Sequence, residues 1–158
     1  MESVSIDMRC LQQQHRMLSG FPQCVSHYLY QDHATAIEQG IERSVLPLAR
    51  YALQTRYPAV CCDDIPIHLI HIDPSDTLFE NSAFVAQVLN ALAAPTEAWV
   101  PVCSSHTYLL HCLELALMTM DAASRKRILV YVGDYNNAAA FRLLAQRQDM
   151  DFCCQALL

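Results

Sequence analysis

Glycine is scarce in this sequence: Gly20, Gly40 and Gly133 stand alone among 158 residues. Nucleotide-binding loops need closely spaced glycines, because only a residue without Cβ lets successive amide groups approach a phosphate. Neither G-x-G-x-x-G nor G-x-x-x-x-G-K-[ST] occurs. The common dinucleotide and P-loop sites are therefore excluded, and we expect no cofactor.

Positive charge is also sparse. Lys126 is the only lysine, and 10 basic residues face 16 acidic ones, for a net charge of −6. Nucleic-acid binding depends on a cluster of cations that releases counterions from phosphates. The densest basic group is the triplet Arg125, Lys126 and Arg127, which is more typical of a helix C-terminus. We therefore expect no nucleic acid among the partners.

Long apolar runs are missing as well. No run approaches the roughly 20 residues that span a membrane, and residues 1–11 have neither the basic start nor the apolar core of a secretory signal. We therefore expect no membrane association and a cytoplasmic location. In that compartment the eight cysteines would be reduced thiols that act as small apolar side chains, rather than four disulfides.

The apolar content predicts one globular domain. Hydrophobic side chains make up 53% of the chain, which is enough for a chain of this size to bury a core without metal or disulfides. We expect residues 1–158 to form a single domain, in which a helical segment over residues 1–60 packs on an α/β core over residues 61–158.

Short apolar runs alternate with helical patterns from Asp64 onward. They predict strands at roughly residues 65–73, 97–103, 127–133 and 150–157. Pro101 lacks a backbone N–H, so we expect the second strand to lie at an edge or to end irregularly. Four strands joined by three helices predict an α/β, three-layer domain with a parallel sheet and helices on both faces.

Capping residues mark the expected helix starts. Asp73 with Pro74 opens a helix to about Ala93, Ser104 or Ser105 opens one to about Ala123, and Asn136 or Asn137 opens one to about Gln148. Residues 1–60 predict helices without convincing strands. One helix covers residues 7–19, and another starts at the capping box of Thr35 and Glu38 and ends near Arg56, bent or interrupted at Pro47.

The carboxyl ends of the strands are where ligands of open α/β sheets bind. Three loops collect polar residues there, at positions 73–76, 103–106 and 134–137. Cys103 is a candidate nucleophile, with a thiol pKa lowered by the following helix and with His106 or His71 as base. Asp134 would orient the base, and amides of the following helix would stabilise the anion. The alternative is that Asp73, Ser104 and Asn136 are only helix caps and Cys103 is a buried strand residue.

Metal ligation is the other chemistry that these residue types suggest. Cys10, His15, Cys24 and His27 come closest to a zinc set, in C-x4-H and C-x2-H halves. The spacing is less regular than in structural zinc sites, and His15 falls on the apolar face of a predicted helix, so we expect no metal site. His68 and His71 are three residues apart on a strand, and we expect them to point to opposite faces.

Two function classes stay open from the sequence. We favour a non-catalytic adaptor or regulatory protein that binds another protein, because no catalytic set is complete and the phosphate-binding glycines are missing. The last strand could also pair with a second copy of the chain and give a homo-oligomer. The alternative is a small thiol-dependent hydrolase or group transferase with Cys103 at a strand-to-helix junction.

Overall fold

The computed structural model describes residues 15–17, 23–29, 36–60, 64–92, 97–120 and 127–156. In chain order the elements are β1 (His15–Met17), β2 (Cys24–His27), α1 (Ala36–Arg56), β3 (Ile67–His71), α2 (Leu78–Ala91), β4 (Ala98–Val102), α3 (His106–Met118), β5 (Ile128–Gly133), α4 (Tyr135–Arg147) and β6 (Asp151–Ala156).

The strands form one sheet in which neighbours in space are neighbours in the chain, from β1 to β6. Strands β2 to β6 are parallel, and β1 pairs with β2 in the antiparallel sense. The predicted α/β fold is confirmed, and its alternation of strands and helices is Rossmann-like. The four predicted strands are β3, β4, β5 and β6, and β2 adds a fifth parallel strand.

Two apolar clusters cover the two faces of the sheet. On one face, α2, α3 and α4 pack on Ile70, Trp99 and Leu129. On the other, α1 packs on alternate residues of the same strands, among them Leu69 and Val130. Apolar residues on both faces are expected of inner parallel strands, and the helices on each side complete three layers.

The N-terminal part differs from the sequence prediction. A helix over residues 7–19 is wrong for His15–Met17, which form β1 and pair with β2. Strand β2 in turn pairs with β3, placing Cys24 beside Ile67 and Ser26 beside Leu69. These strands are too short to show a clear period, so pairing with a distant strand decides their conformation.

Helix α1 follows the prediction more closely. It covers Ala36–Arg56 and continues through Pro47. Thr35, the first residue of the predicted capping box, lies outside the described residues. The apolar positions of α1 that include Val45, Leu46 and Ala49 face the sheet.

Pro101 does not mark an edge strand, because β4 lies between β3 and β5. The pairing of β4 with β5 involves Ala98 and Trp99 only, so Pro101 lies beyond the point where an N–H would be required on that side. On the other side the carbonyl of Val102 accepts a hydrogen bond from the Ile72 N–H at 2.9 Å. A central strand therefore tolerates this proline near its end.

Two of the predicted helix starts are also corrected. Helix α2 begins at Leu78 with Thr77 as its cap, so residues 73–76 form a turn instead of the first helical turn. The Thr77 hydroxyl accepts a hydrogen bond from the Glu80 N–H at 3.1 Å and donates one to the Glu80 carboxylate at 2.9 Å, which fixes the later start. Ser105 caps α3 as predicted, whereas Asp134 caps α4 in place of Asn136 or Asn137. Helices α2 and α3 end earlier than expected, at Ala91 and Met118.

Candidate functional site

An open cavity of about 420 Å³ lies beyond the carboxyl ends of β2, β3 and β4. Two of the three polar loops that the sequence indicated meet there. The lining residues are Tyr28 and Leu29 after β2, Ile41 of α1, His71, Ile72, Asp73, Pro74 and Asp76 after β3, and Val102, Cys103 and Ser104 after β4. Pockets of this size and mixed lining are typical of ligand sites at this edge of an α/β sheet.

A buried carboxylate lies behind the cavity. Glu42 of α1 is 4% exposed, and it accepts hydrogen bonds from the hydroxyls of Ser26 at 2.5 Å and Tyr28 at 2.6 Å. The Oγ of Ser26 is 3.2 Å from Nε2 of His71, and the Tyr28 ring stacks on the His71 ring at 4.3 Å. Because the Ser26 proton goes to Glu42, the Ser26 oxygen is left to accept from Nε2–H of His71. Through Ser26, Glu42 therefore favours a proton on Nε2 of this cavity residue.

The loop over residues 73–76 is held in place by the helices behind it. The side-chain amide of Asn81, which is fully buried in α2, donates to the carbonyl of Asp73 at 2.7 Å and to the hydroxyl of Tyr108 at 2.8 Å. Tyr108 of α3 donates in turn to the carbonyl of Asp76 at 2.8 Å. Both ends of the loop are thus fixed to rigid elements, which preorganises this wall of the cavity.

The same loop makes the cavity negative. The backbone N–H and the hydroxyl of Ser75 donate to Asp73 at 2.9 and 2.7 Å, and these bonds lower the pKa of the Asp73 carboxyl. Burial, and then the charge of Asp73, raise the pKa of Asp76. No described residue gives the Asp76 carboxylate a hydrogen bond or a cation. Two neighbouring carboxylates, of which Asp76 has no donor or cation among the described residues, favour a positive group in the cavity.

The predicted catalytic residues are only partly brought together. Cys103 is on the cavity wall with His71, and burial raises the pKa of its thiol, while the amides of Ser105 and Ser104 act in the opposite direction. His106 is exposed in the first turn of α3, and exposed Asp134 accepts from the Asn136 N–H at 2.9 Å as a cap. Neither His106 nor Asp134 belongs to the lining that the described residues form.

A second polar cluster lies on the other face of the sheet. Nε2 of His27 and Nδ1 of His68 are 2.9 Å apart, and Nε2 of His68 is 3.4 Å from Glu97. Burial lowers the pKa of His68, and Glu97 opposes this shift. His71 contacts Ser26 on the α1 side, so the prediction that His68 and His71 face apart is confirmed.

The zinc set considered from the sequence does not assemble on β2. Cys24 packs in the α1-side cluster and its sulfur accepts a hydrogen bond from Arg50 at 3.2 Å, whereas His27 bonds His68 on the opposite side. Cys10 and the side chain of His15 lie outside the described part of the structure. Within that part, no three His, Cys, Asp or Glu side chains are arranged to hold a metal ion.

The predicted site residues did not include Ser26, Tyr28 or Glu42, which belong to the region predicted as helical. One signal was present. Glu42 falls between Ile41 and Val45 in the apolar stripe of α1, where a charged residue is rarely buried unless it is paired.

Comparisons of the chain with protein-family models, with curated proteins and with solved structures find no match. Among the described helices, none has the length and apolar character needed to cross a membrane.

Proposed function

We propose that the chain is a non-catalytic adaptor or regulatory protein that binds another protein at the cavity. The observation that carries this proposal is a pair of exposed, large apolar side chains in α1 and α2, the helices that follow two of the strands at the cavity. Ile41 lines the cavity, and Ile37, one helical turn earlier on α1, is 76% exposed. Phe79, in the first turn of α2 after the Asp76 loop, is 79% exposed. Exposed large apolar side chains that are close in the chain to the lining residues Ile41 and Asp76 favour a binding surface larger than a small ligand needs.

The chemistry of the cavity supports binding over catalysis. A thiol nucleophile needs a lowered pKa and a base within hydrogen-bond reach. The Cys103 pKa is raised by burial, Asp134 is occupied as a helix cap, and His106 is exposed in the first turn of its helix, so both lie away from the lining. The polar groups behind the cavity bond one another, which stabilises its shape.

A cavity-filling variant tests the proposal. Ser104 is exposed on the cavity wall and does not cap α3, so Ser104→Trp should fill the cavity without disturbing the helix. Gln146→Trp, on the exposed side of α4, is the matched control. A partner isolated with the wild-type chain is purified and titrated against both variants by calorimetry. We expect Ser104→Trp to weaken binding at least about tenfold and Gln146→Trp to leave it unchanged.

Equal affinity for all three chains, with circular dichroism showing that Ser104→Trp is folded, would refute binding at the cavity. The same partner titration reveals whether the partner is a second copy of this chain. Within the described sheet, β6 is the last strand, and its outer edge supports pairing with a second copy of the chain. Analytical ultracentrifugation over a concentration series tests for this dimer. We also propose a cytoplasmic location, which is supported by Cys103, Cys112 and Cys154 being free thiols.

The second candidate is a thiol-dependent hydrolase or group transferase. The observation that favours it is that Cys103 shares the cavity with His71, whose Nε2 is held by Ser26. Cys103→Ser distinguishes the two functions. An adaptor keeps its partner affinity after this conservative change, whereas an enzyme loses turnover of a thioester or ester panel with its fold intact.

A further inference from the structure

We propose that the group which enters the cavity is a basic side chain, arginine or lysine, of the protein partner. Its aliphatic stem would lie on the apolar wall and its charge beside Asp73 and Asp76. This inference rests on the proposed function, since it names the part of the partner that the cavity accepts.

The first argument is the charge of the cavity. Asp73 keeps its negative charge readily because Ser75 donates two hydrogen bonds to it. Asp76 is partly buried beside that charge, and none of the described residues provides it with a donor or a cation. A cation would relieve the repulsion between the two carboxylates and would replace water at Asp76. An anionic or purely apolar ligand would do neither.

The second argument is the rest of the lining. Leu29, Ile41, Ile72 and Val102 provide apolar contacts next to the carboxylates. Lysine and arginine combine a methylene stem with a charged end, and they bury the stem on apolar surface while the charge stays at a polar one. A compact cation, such as a metal ion or ammonium, would leave this apolar wall unused.

The third argument is rigidity. Asn81 and Tyr108 hold the carbonyls of Asp73 and Asp76, so the carboxylates need little ordering when a ligand binds. Preorganised acceptors lose less entropy on binding, and the affinity rises accordingly. The net charge of −6 adds a long-range attraction for a basic partner.

The test compares two small probes of nearly the same shape. N-acetyl-arginine amide carries the guanidinium charge, and N-acetyl-citrulline amide replaces it with a neutral urea. Each is titrated into the ¹⁵N-labelled full chain at low salt, and shifts of the amides of Ile72, Asp76 and Ser104 are followed. We expect the arginine probe to bind about five- to tenfold more tightly than the citrulline probe, as for a partly buried charge pair.

Asp76→Asn should abolish this preference, because its carboxylate accepts no hydrogen bond from a described residue and the change leaves the loop intact. Glu114→Gln on α3 makes the same change in net charge away from the cavity and should leave the preference unchanged. A preference that falls equally in both variants would reflect net charge alone and would overturn the inference.

Equal binding of the two probes, or no shift of cavity amides with either, would also overturn the inference. So would the same shifts on addition of Mg²⁺ or Ca²⁺ at millimolar concentration, since the cavity would then be a metal site. None of these outcomes decides the proposed function, which fails only if Ser104→Trp leaves the affinity for the purified partner unchanged.

Discussion

The buried hydroxyl of Tyr28 provides the sharpest test of the polar cluster behind the cavity. Tyr28 is 3% exposed, and its hydroxyl donates to Glu42 at 2.6 Å. Tyr28→Phe removes that oxygen and keeps the ring, so the stacking on His71 is preserved. A hydrogen bond to a charged group contributes a net ~1.5–3 kcal/mol. Ser26 still donates to Glu42 in this variant, so the buried carboxylate keeps a hydrogen-bond donor. We therefore expect the free energy of unfolding to fall by about 1.5–3 kcal/mol, the net contribution of the lost bond.

A double-mutant cycle separates the charge of Glu42 from the geometry of the bond. Glu42→Gln keeps an acceptor oxygen in nearly the same place and removes the charge. In that background the bond from Tyr28 is a neutral one, which contributes about 0.5–1.5 kcal/mol. Tyr28→Phe should therefore cost roughly 1 kcal/mol less in the Glu42→Gln chain than in the wild type.

Urea unfolding near pH 7, followed by the fluorescence of the buried and only tryptophan, Trp99, measures all four chains. Tyr135→Phe is the matched control, because this tyrosine is 63% exposed on α4 and its hydroxyl loss should change stability by less than about 0.5 kcal/mol. The reasoning is refuted if Tyr28→Phe also stays within that limit, or if its cost is the same with glutamate and glutamine at position 42.

Three further predictions concern a close contact, a partly buried histidine and a thiol. An added Cβ at Gly133 would lie 2.6 Å from the hydroxyl of buried Tyr131, whereas Gly40 in α1 has nothing within 4 Å. Gly133→Ala should lower the free energy of unfolding by about 1–3 kcal/mol, and Gly40→Ala should raise it by about 0.5–1 kcal/mol. Thermal unfolding measures both, and a Gly133→Ala chain more stable than the Gly40→Ala chain would contradict the packing. The pKa of His68 is lowered in the fold, so the unfolded chain takes up the proton first and stability falls as the pH drops below about 6.5. Urea titrations near pH 7.5 and pH 5 should show that His68→Gln loses less stability than the wild type between these two pH values. An equal loss in both chains would exclude His68 as the cause. Because burial raises the pKa of Cys103, its alkylation near neutral pH should be slow by mass spectrometry, and a fast reaction there would favour the thiol enzyme.

The C-terminal part of the fold was predictable because its signals are local. The strand that became β5 is a continuous apolar run, and the strand that became β3 has apolar residues on both faces, since helices cover both faces of each strand. Ser105 caps α3 by accepting from Tyr108 N–H at 3.2 Å, as its position before a helical pattern indicated. Here the local preference and the tertiary environment favour the same structure, so the pattern alone was sufficient.

The N-terminal part was not predictable for the opposite reason. Strand β2 has four residues, and its parallel register with β3 involves partners more than 40 positions away in the chain. The position of Pro101 illustrates the same limit. A proline is excluded from a strand only where its missing N–H is needed for a hydrogen bond. The length of the β4–β5 pairing decides where that is, and this length cannot be predicted from the sequence of β4 alone.

The candidate site combines both kinds of information, which explains why half of it was found. The loops after β3 and β4 follow local signals, and the sequence placed both at the carboxyl edge. The groups behind them come from β2 and α1, and Ser26 and His71 meet across 45 positions of chain. Glu42 was the one trace of this arrangement, as a carboxylate in an apolar stripe whose partners only the fold reveals.

The Glu42 cluster also separates the two candidate functions by what each requires of it. In an adaptor it shapes the cavity, and Glu42→Gln, which keeps the acceptor, should change partner affinity little and without dependence on pH. In an enzyme it would hold His71 as the base through Ser26, and removing the charge would shift the pH profile of turnover. A pH-independent affinity in Glu42→Gln therefore supports binding, whereas a displaced pH profile would show that the carboxylate acts on a proton at His71.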